Sequence, residues 1–164
     1  MPDWMGNNVV VRGPEIEIVR FISKCFHVEH YDDDEDADGL EFDFETVIPI
    51  DATAFDAAAD ADDWDMLYRR HWGTKRDAVD TAVILRRPGY LHFEFITASG
   101  FPGPVYRELG RQFPKLEFDV AAMDPGAWWA VTGHVVGDNA VFDEEADRRI
   151  VYERVYKEPF EAAL

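Results

Sequence analysis

The sequence predicts an α+β domain with a mostly antiparallel sheet and helices packed to one side of it. Three observations lead there. Segments of alternating hydrophobicity and segments with apolar residues three and four apart follow one another in the order β-α-β-α-β-β-α-β-β(-β)-α. Turn sequences rich in Gly, Pro and Asn separate them. The hydrophobic fraction is 47%, with 12 Phe, 6 Tyr and 5 Trp among 164 residues, enough to close one core without staples and too little chain for two comfortable domains.

The first element is the β-branched run Asn8 to Arg12, ended by Gly13-Pro14. From Pro14 the period changes: Ile18, Phe21, Ile22, Cys25 and Phe26 share one helical face, so Glu15 to Phe26 reads as an amphipathic helix. Tyr31 to Gly39 reads as an acidic loop. Leu40, Phe42, Phe44, Ile48 and Ile50 alternate with Glu41, Asp43, Glu45, Val47 and Pro49, a strand pattern with one apolar and one partly charged face. On such a strand Glu41, Asp43 and Glu45 would form a row at about 6.6 Å spacing.

Asp60 to His71 carries Trp64, Met66, Leu67 and Tyr68 and reads as a helix, with Gly73 beyond its end. A hairpin follows, Ala78 to Arg86 and Tyr90 to Ala98 around Arg87-Pro88-Gly89, with Leu91, Phe93 and Phe95 opposite His92 and Glu94. Pro102-Gly103-Pro104 opens a helix carrying Val105, Leu109 and Phe113 at four-residue spacing, and Pro114 ends it. Leu116 to Met123, Ala127 to Val136 and Ala140 to Phe142 read as strands, and Asp143 to Tyr156 as a C-terminal helix. The domain reading is one unit, 1–164, with a core over 1–142, an acidic loop near 30–39 and the helix within 143–164.

The charge is uneven. The chain has 34 Asp plus Glu against 16 Lys plus Arg, a formal net charge of -18. Between Glu29 and Asp65 stand 16 acidic residues and no Lys or Arg, so this stretch holds nearly all the excess. Asp exceeds Glu by 20 to 14 and Arg exceeds Lys by 12 to 4, which suits a salt-adapted surface. Localisation favours a patch that solvates the chain or meets a basic partner, because concentrated like charge costs stability. Cys25 is the single cysteine, so no internal disulfide forms. No early apolar stretch suits a signal peptide and no run approaches about 18 apolar residues, so the expected compartment is the cytoplasm and no membrane contact is expected.

Several blocks together resemble the YubB-like ferredoxin-domain proteins of phages, plasmids and prophage regions. They are Met1-Pro2-Asp3-Trp4 with Asn7 and the Val9 to Pro14 run, Phe42-Asp43-Phe44 through Val47-Ile48-Pro49-Ile50, His71-Trp72-Gly73-Thr74-Lys75-Arg76-Asp77-Ala78, Phe93-Glu94-Phe95-x-Thr97-Ala98, and Phe113-Pro114-x-Leu116. They cover the first 140 residues or so in the family's order. Asp3 stands where that family has Asn, Arg76 where it has an aromatic, and Ser99-Gly100-Phe101-Pro102 where it has a Trp-Ser-Pro-Pro-like turn. The resemblance implies a ferredoxin-like sheet and a mobile-element origin, and it implies no reaction.

Candidate chemistry is sparse. Asp34-x-Asp36-x-Asp38-Gly39-x5-Glu45 fits the EF-hand spacing, which needs Gly at a sharp turn and a bidentate Glu returning from a helix. On a strand, however, Glu45 would lie about 23 Å from Asp38, and Glu41 occupies the usual aliphatic position. Cys25-x-His27-x2-His30 offers three zinc ligands across a helix end, set against a core cysteine with two exposed histidines. Ser23 and Ser99 lack a nucleophile-elbow context, Cys25 sits on an apolar stripe, and Gly73-Thr74-Lys75 lacks the preceding glycine of a phosphate loop. Trp72, Thr74, Lys75 and Asp77 read as a candidate polar pocket, or as a helix cap with Trp72 anchoring the core.

The resulting expectation is a non-enzymatic binding protein with no catalytic residues and no cofactor. Its partner-binding residues would be Asp32, Asp33, Asp34, Glu35, Asp36, Asp38, Glu41, Asp43, Glu45, Asp60, Asp62 and Asp63. Direct nucleic-acid binding is not expected, because the field repels phosphate. The expected partner is the basic surface of a nucleic-acid-binding protein, with the carboxylates imitating a phosphate backbone, as an inhibitor of host defence would. The alternatives are a metal-dependent enzyme using Asp34, Asp36 and Asp38, and a structural or adaptor domain.

Overall fold

The computed structural model describes residues 3–30, 38–51, 53–54, 61–126 and 128–160. Six antiparallel strands form one sheet in the order β4-β5-β1-β6-β7-β8. They are β1 (Trp4–Arg12), β4 (Val79–Arg87), β5 (Tyr90–Ala98), β6 (Glu117–Met123), β7 (Ala130–Val136) and β8 (Asn139–Asp143). Helices α1 (Glu15–Cys25) and α4 (Gly103–Gln112) connect β1 to β4 and β5 to β6. The unit β1-α1-β4-β5-α4-β6, with β1 between β5 and β6, is the ferredoxin-like arrangement; β7 and β8 widen it at one edge. This is the α+β class with a mostly antiparallel sheet expected from the periodicity.

The two sides of β1 show how the layers form. Val9 pairs with Phe93 on one neighbour and Val120 on the other, and all three are fully buried. Against this face lies the apolar stripe of α1, where the Phe21 ring meets Phe93 at 6.1 Å and Phe118 at 5.5 Å between centroids. Asn7 points to the same side and is satisfied there: its Nδ2 donates to Thr97 Oγ1 at 3.1 Å, and its Oδ1 accepts the Tyr106 hydroxyl at 3.0 Å. On the opposite side, Gly6 lets the last helix, α5 (Arg148–Tyr156), approach the sheet, since a Cβ there would stand 2.6 Å from Val155 Cγ1. Among the described residues, the helices before α5 lie on the α1 side of the sheet, and α5 covers part of the outer face through Val151 and Val155.

Between α1 and β4 the chain inserts a module. It consists of a separate two-stranded sheet, β2 (Phe26–His30) with β3 (Asp38–Phe42), then α2 (Phe44–Val47) and α3 (Ala61–Trp72). Three sequence expectations change here and at the C-terminus. Phe26 begins β2 instead of closing α1, because its backbone turns extended at φ -119° and ψ 145°. The strand expected over Leu40 to Ile50 stops at Phe42: the Asp43 side chain accepts the Glu45 N–H at 3.0 Å and starts α2. Phe42 on the strand and Phe44 and Val47 on the helix are all buried, so a short apolar run satisfied both periods. The last helix begins at Arg148, not Asp143, because Asp147 caps it by accepting the Arg149 N–H at 2.9 Å. Among the described residues no helix is long and apolar enough to cross a membrane.

Candidate functional site

The acidic stretch Glu29 to Asp65 lies wholly within this insertion, and the insertion meets the core sheet through a cluster of titratable side chains. His27 on β2 sits opposite Glu41 on β3. His27 Nδ1 stands 3.2 Å from Asp43 Oδ2. Asp77, just before β4, accepts the N–H of Phe44 at 2.8 Å and of Ala78 at 2.7 Å through Oδ1, and its side chain hydrogen-bonds that of Asp43. Thr81 completes the joint: its Oγ1 accepts the Phe42 N–H at 3.0 Å, while its own N–H donates to Glu41 Oε2 at 3.2 Å.

Asp77 is the unusual group. Burial pushes its carboxyl up from 3.8 to about 7, against the pull of the Phe44 and Ala78 amides, and the neighbouring Asp43 carboxylate pushes the same way. A groove of about 370 Å³ opens beside them, lined by His27, Glu41, Phe42, Asp77 and Asp80. It presents carboxylates over an apolar floor, which suits a cationic side chain with an aliphatic stem.

The candidate pocket at Trp72, Thr74, Lys75 and Asp77 divides. Trp72 is buried, donates Nε1 to Ile48 O at 3.0 Å, and stacks on Tyr68 at 5.0 Å between centroids. Thr74 is buried and donates to Arg76 O at 2.7 Å. The Lys75 backbone N–H donates to Ala98 O at 3.0 Å, so the block ties α3 to the end of β5. Asp77 lines the groove described above, and together with Trp72 it lines a second groove beside Glu45, Tyr68 and Arg76.

The partner-binding residues also divide. Asp32, Asp33, Asp34, Glu35, Asp36 and Asp60 lie outside the described residues, and the side chains of Asp38 and Asp62 are not described. The row of Glu41, Asp43 and Glu45 does not form, because Glu41 is on β3, Asp43 caps α2 and Glu45 lies in its first turn. Glu41 and Asp43 are engaged at the joint, and Glu45 Oε1 accepts the Ile50 N–H at 3.0 Å. Asp63 is exposed on α3, and its neighbour Asp65 pairs with Arg76.

For the metal readings, Gly39 is paired in a strand with Glu29 and makes no sharp turn, while Asp34 and Asp36 fall outside the described residues. Asp38 stands opposite His30 in the β2–β3 register. Cys25 is fully buried, and burial pushes its thiol up to about 11, the reverse of an activated nucleophile. Among the described residues no three His, Cys, Asp or Glu side chains are grouped to hold a metal ion.

His27, Asp80 and Thr81 were missed by sequence reasoning as members of the joint. The only local signal was polar residues at the start of an otherwise apolar strand.

No protein-family model matches the chain, and no curated protein matches it. Its fold is similar to the crystal structure of a protein api92 from Yersinia pseudotuberculosis, assigned to the family model DUF1281. The TM-score is 0.67 at 8% sequence identity, over 90% of this chain and 99% of that one. At that identity the likeness establishes the fold alone, an α+β domain with an antiparallel sheet.

Proposed function

We propose that this chain is a non-enzymatic binding protein whose acidic insertion docks on a basic protein surface. One observation carries the reading: the stretch with 16 carboxylates and no Lys or Arg coincides with a module added between α1 and β4 of a ferredoxin-like scaffold. Charge confined to an added module keeps its field on one partner-facing element instead of spreading it over the scaffold. The described carboxylates nearest the core are spent on caps and on the joint. The recognition role therefore falls to the Asp32–Asp38 run. The fitting partner is a nucleic-acid-binding protein with a phosphate-reading groove, met inside the cell, and a chain of mobile-element origin would use such docking to inhibit it.

The test is affinity capture from host lysate with the full chain and with Asp32, Asp33, Asp34, Asp36 and Asp38 replaced by Asn. The expected result is a captured protein that duplex DNA displaces, that is released as salt shortens the Debye length below about 10 Å, and that the variant fails to retain. Retention by the variant of the same protein at the same salt overturns the reading.

A further inference from the structure

We propose that a depression on the outer face of the sheet, between the start of β1, the middle of β5 and the last turn of α5, binds a small aromatic amine. The inference is independent of the acidic insertion's role. The cavity measures about 270 Å³ and is walled mainly by apolar groups. That size sits near the lower end of small-molecule sites and suits one aromatic ring with a short side chain.

The local sequence explains the hollow. Gly6 pairs with Ile96 and Ala82 pairs with Glu94, so the missing side chain beside Ile96 and the small one beside Glu94 lower the floor. Trp4, 44% exposed, stands at one end. Tyr156 forms another wall, and its hydroxyl is anchored by donation to Met123 O at 2.7 Å. Aromatic walls of this kind favour both a ring and a cation.

Charge selects the headgroup. Glu94 on the floor is already satisfied by Lys157 Nζ at 2.6 Å and Asn8 Nδ2 at 3.3 Å. Asp80 is not: it is exposed, lines the cavity, and has no hydrogen-bond or ion-pair partner among the described residues. It is held at φ 53°, a left-handed conformation that Asp adopts more readily than most residues, where the β4–β5 register shifts between Val79 and Ala82. An unpaired carboxylate fixed at the rim of an apolar hollow attracts an ammonium and repels an anion. The occupant is therefore a ring buried over Ile96 with its amine at Asp80.

The experiment titrates phenethylamine and its neutral counterpart 2-phenylethanol into the full chain with labelled isoleucine methyls. Both are expected to shift the Ile96 methyl, the amine binding roughly two- to fivefold more tightly, as an exposed ion pair allows. Asp80→Asn should erase that preference and leave the alcohol's affinity unchanged; Asn tolerates the left-handed backbone, so the fold is kept. Ala82→Phe should fill the floor and abolish both titrations. Silence of the Ile96 methyl with both probes, an amine preference that survives in Asp80→Asn, or undiminished binding in a folded Ala82→Phe would each overturn the proposal.

Discussion

Asp77 Oδ1 accepts the backbone N–H of Phe44 at 2.8 Å, linking residues 33 apart in sequence and fastening the insertion to the scaffold. The carboxyl that makes this link is held up to about 7 by burial and by Asp43. The folded protein therefore binds this proton more tightly than the unfolded chain does. Its contribution to stability is complete below the unfolded value of 3.8 and is lost as pH rises to about 7. Urea unfolding across that window should show the decline, and Asp77→Asn, which keeps the Oδ1 acceptor without the charge, should flatten it. Asp77→Ala, which strands the Phe44 and Ala78 amides, should cost about 1–3 kcal/mol.

Gly6 sets the distance between the sheet and α5. A Cβ would stand 2.6 Å from Val155 Cγ1, so Gly6→Ala should destabilise by about 1–3 kcal/mol through overpacking. Val155→Ala in the same chain should recover part of that loss, giving a non-additive double-mutant cycle in denaturant midpoints.

Tyr106, Asn7 and Thr97 form a buried polar chain under β1. Tyr106→Phe removes the hydroxyl that donates to Asn7 Oδ1 and should cost about 1–3 kcal/mol in guanidinium unfolding. Far-UV circular dichroism should be unchanged.

Neutralising Asp32, Asp33, Asp34, Asp36 and Asp38 with Asn should also alter the salt response of stability. Added NaCl screens like-charge repulsion, so the native chain's melting temperature should rise with salt and the variant's should rise less. Equal responses would show that this run does not strain the folded state.

Cys25 should resist thiol reagents in the native state and react only on unfolding, since the thiol is buried and pushed up to about 11. A stopped assay with an aromatic disulfide, with and without denaturant, measures this directly.

Much of the fold was legible because its signals are local. The Val9–Val11 run, the Ile18–Phe21–Cys25 stripe, the Arg87-Pro88-Gly89 turn and the Val105–Leu109 spacing all lie where periodicity and turn chemistry put them. Reading failed over Phe42 to Ile50, where an apolar run of that length fits a strand or a short helix. Asp43 chose the helix by capping it, and Asp77 supported the choice from far along the chain. The candidate site was legible as charge and illegible as geometry. Glu41, Asp43 and Glu45 are ordinary acidic residues in the sequence, and nothing near them announces that Thr81 and Asp77 supply their partners.

The amino-acid order by itself determined most strands and helices outside the insertion, and where negative charge accumulates, because those properties depend on neighbours a few residues away. Only the tertiary structure decided the strand order about β1, the placement of α5 on the outer face, the meeting of Asp43 with Asp77, and the hollow beneath Trp4. Each requires groups tens of residues apart to be brought together by burial of a shared core, and no local pattern encodes that closure.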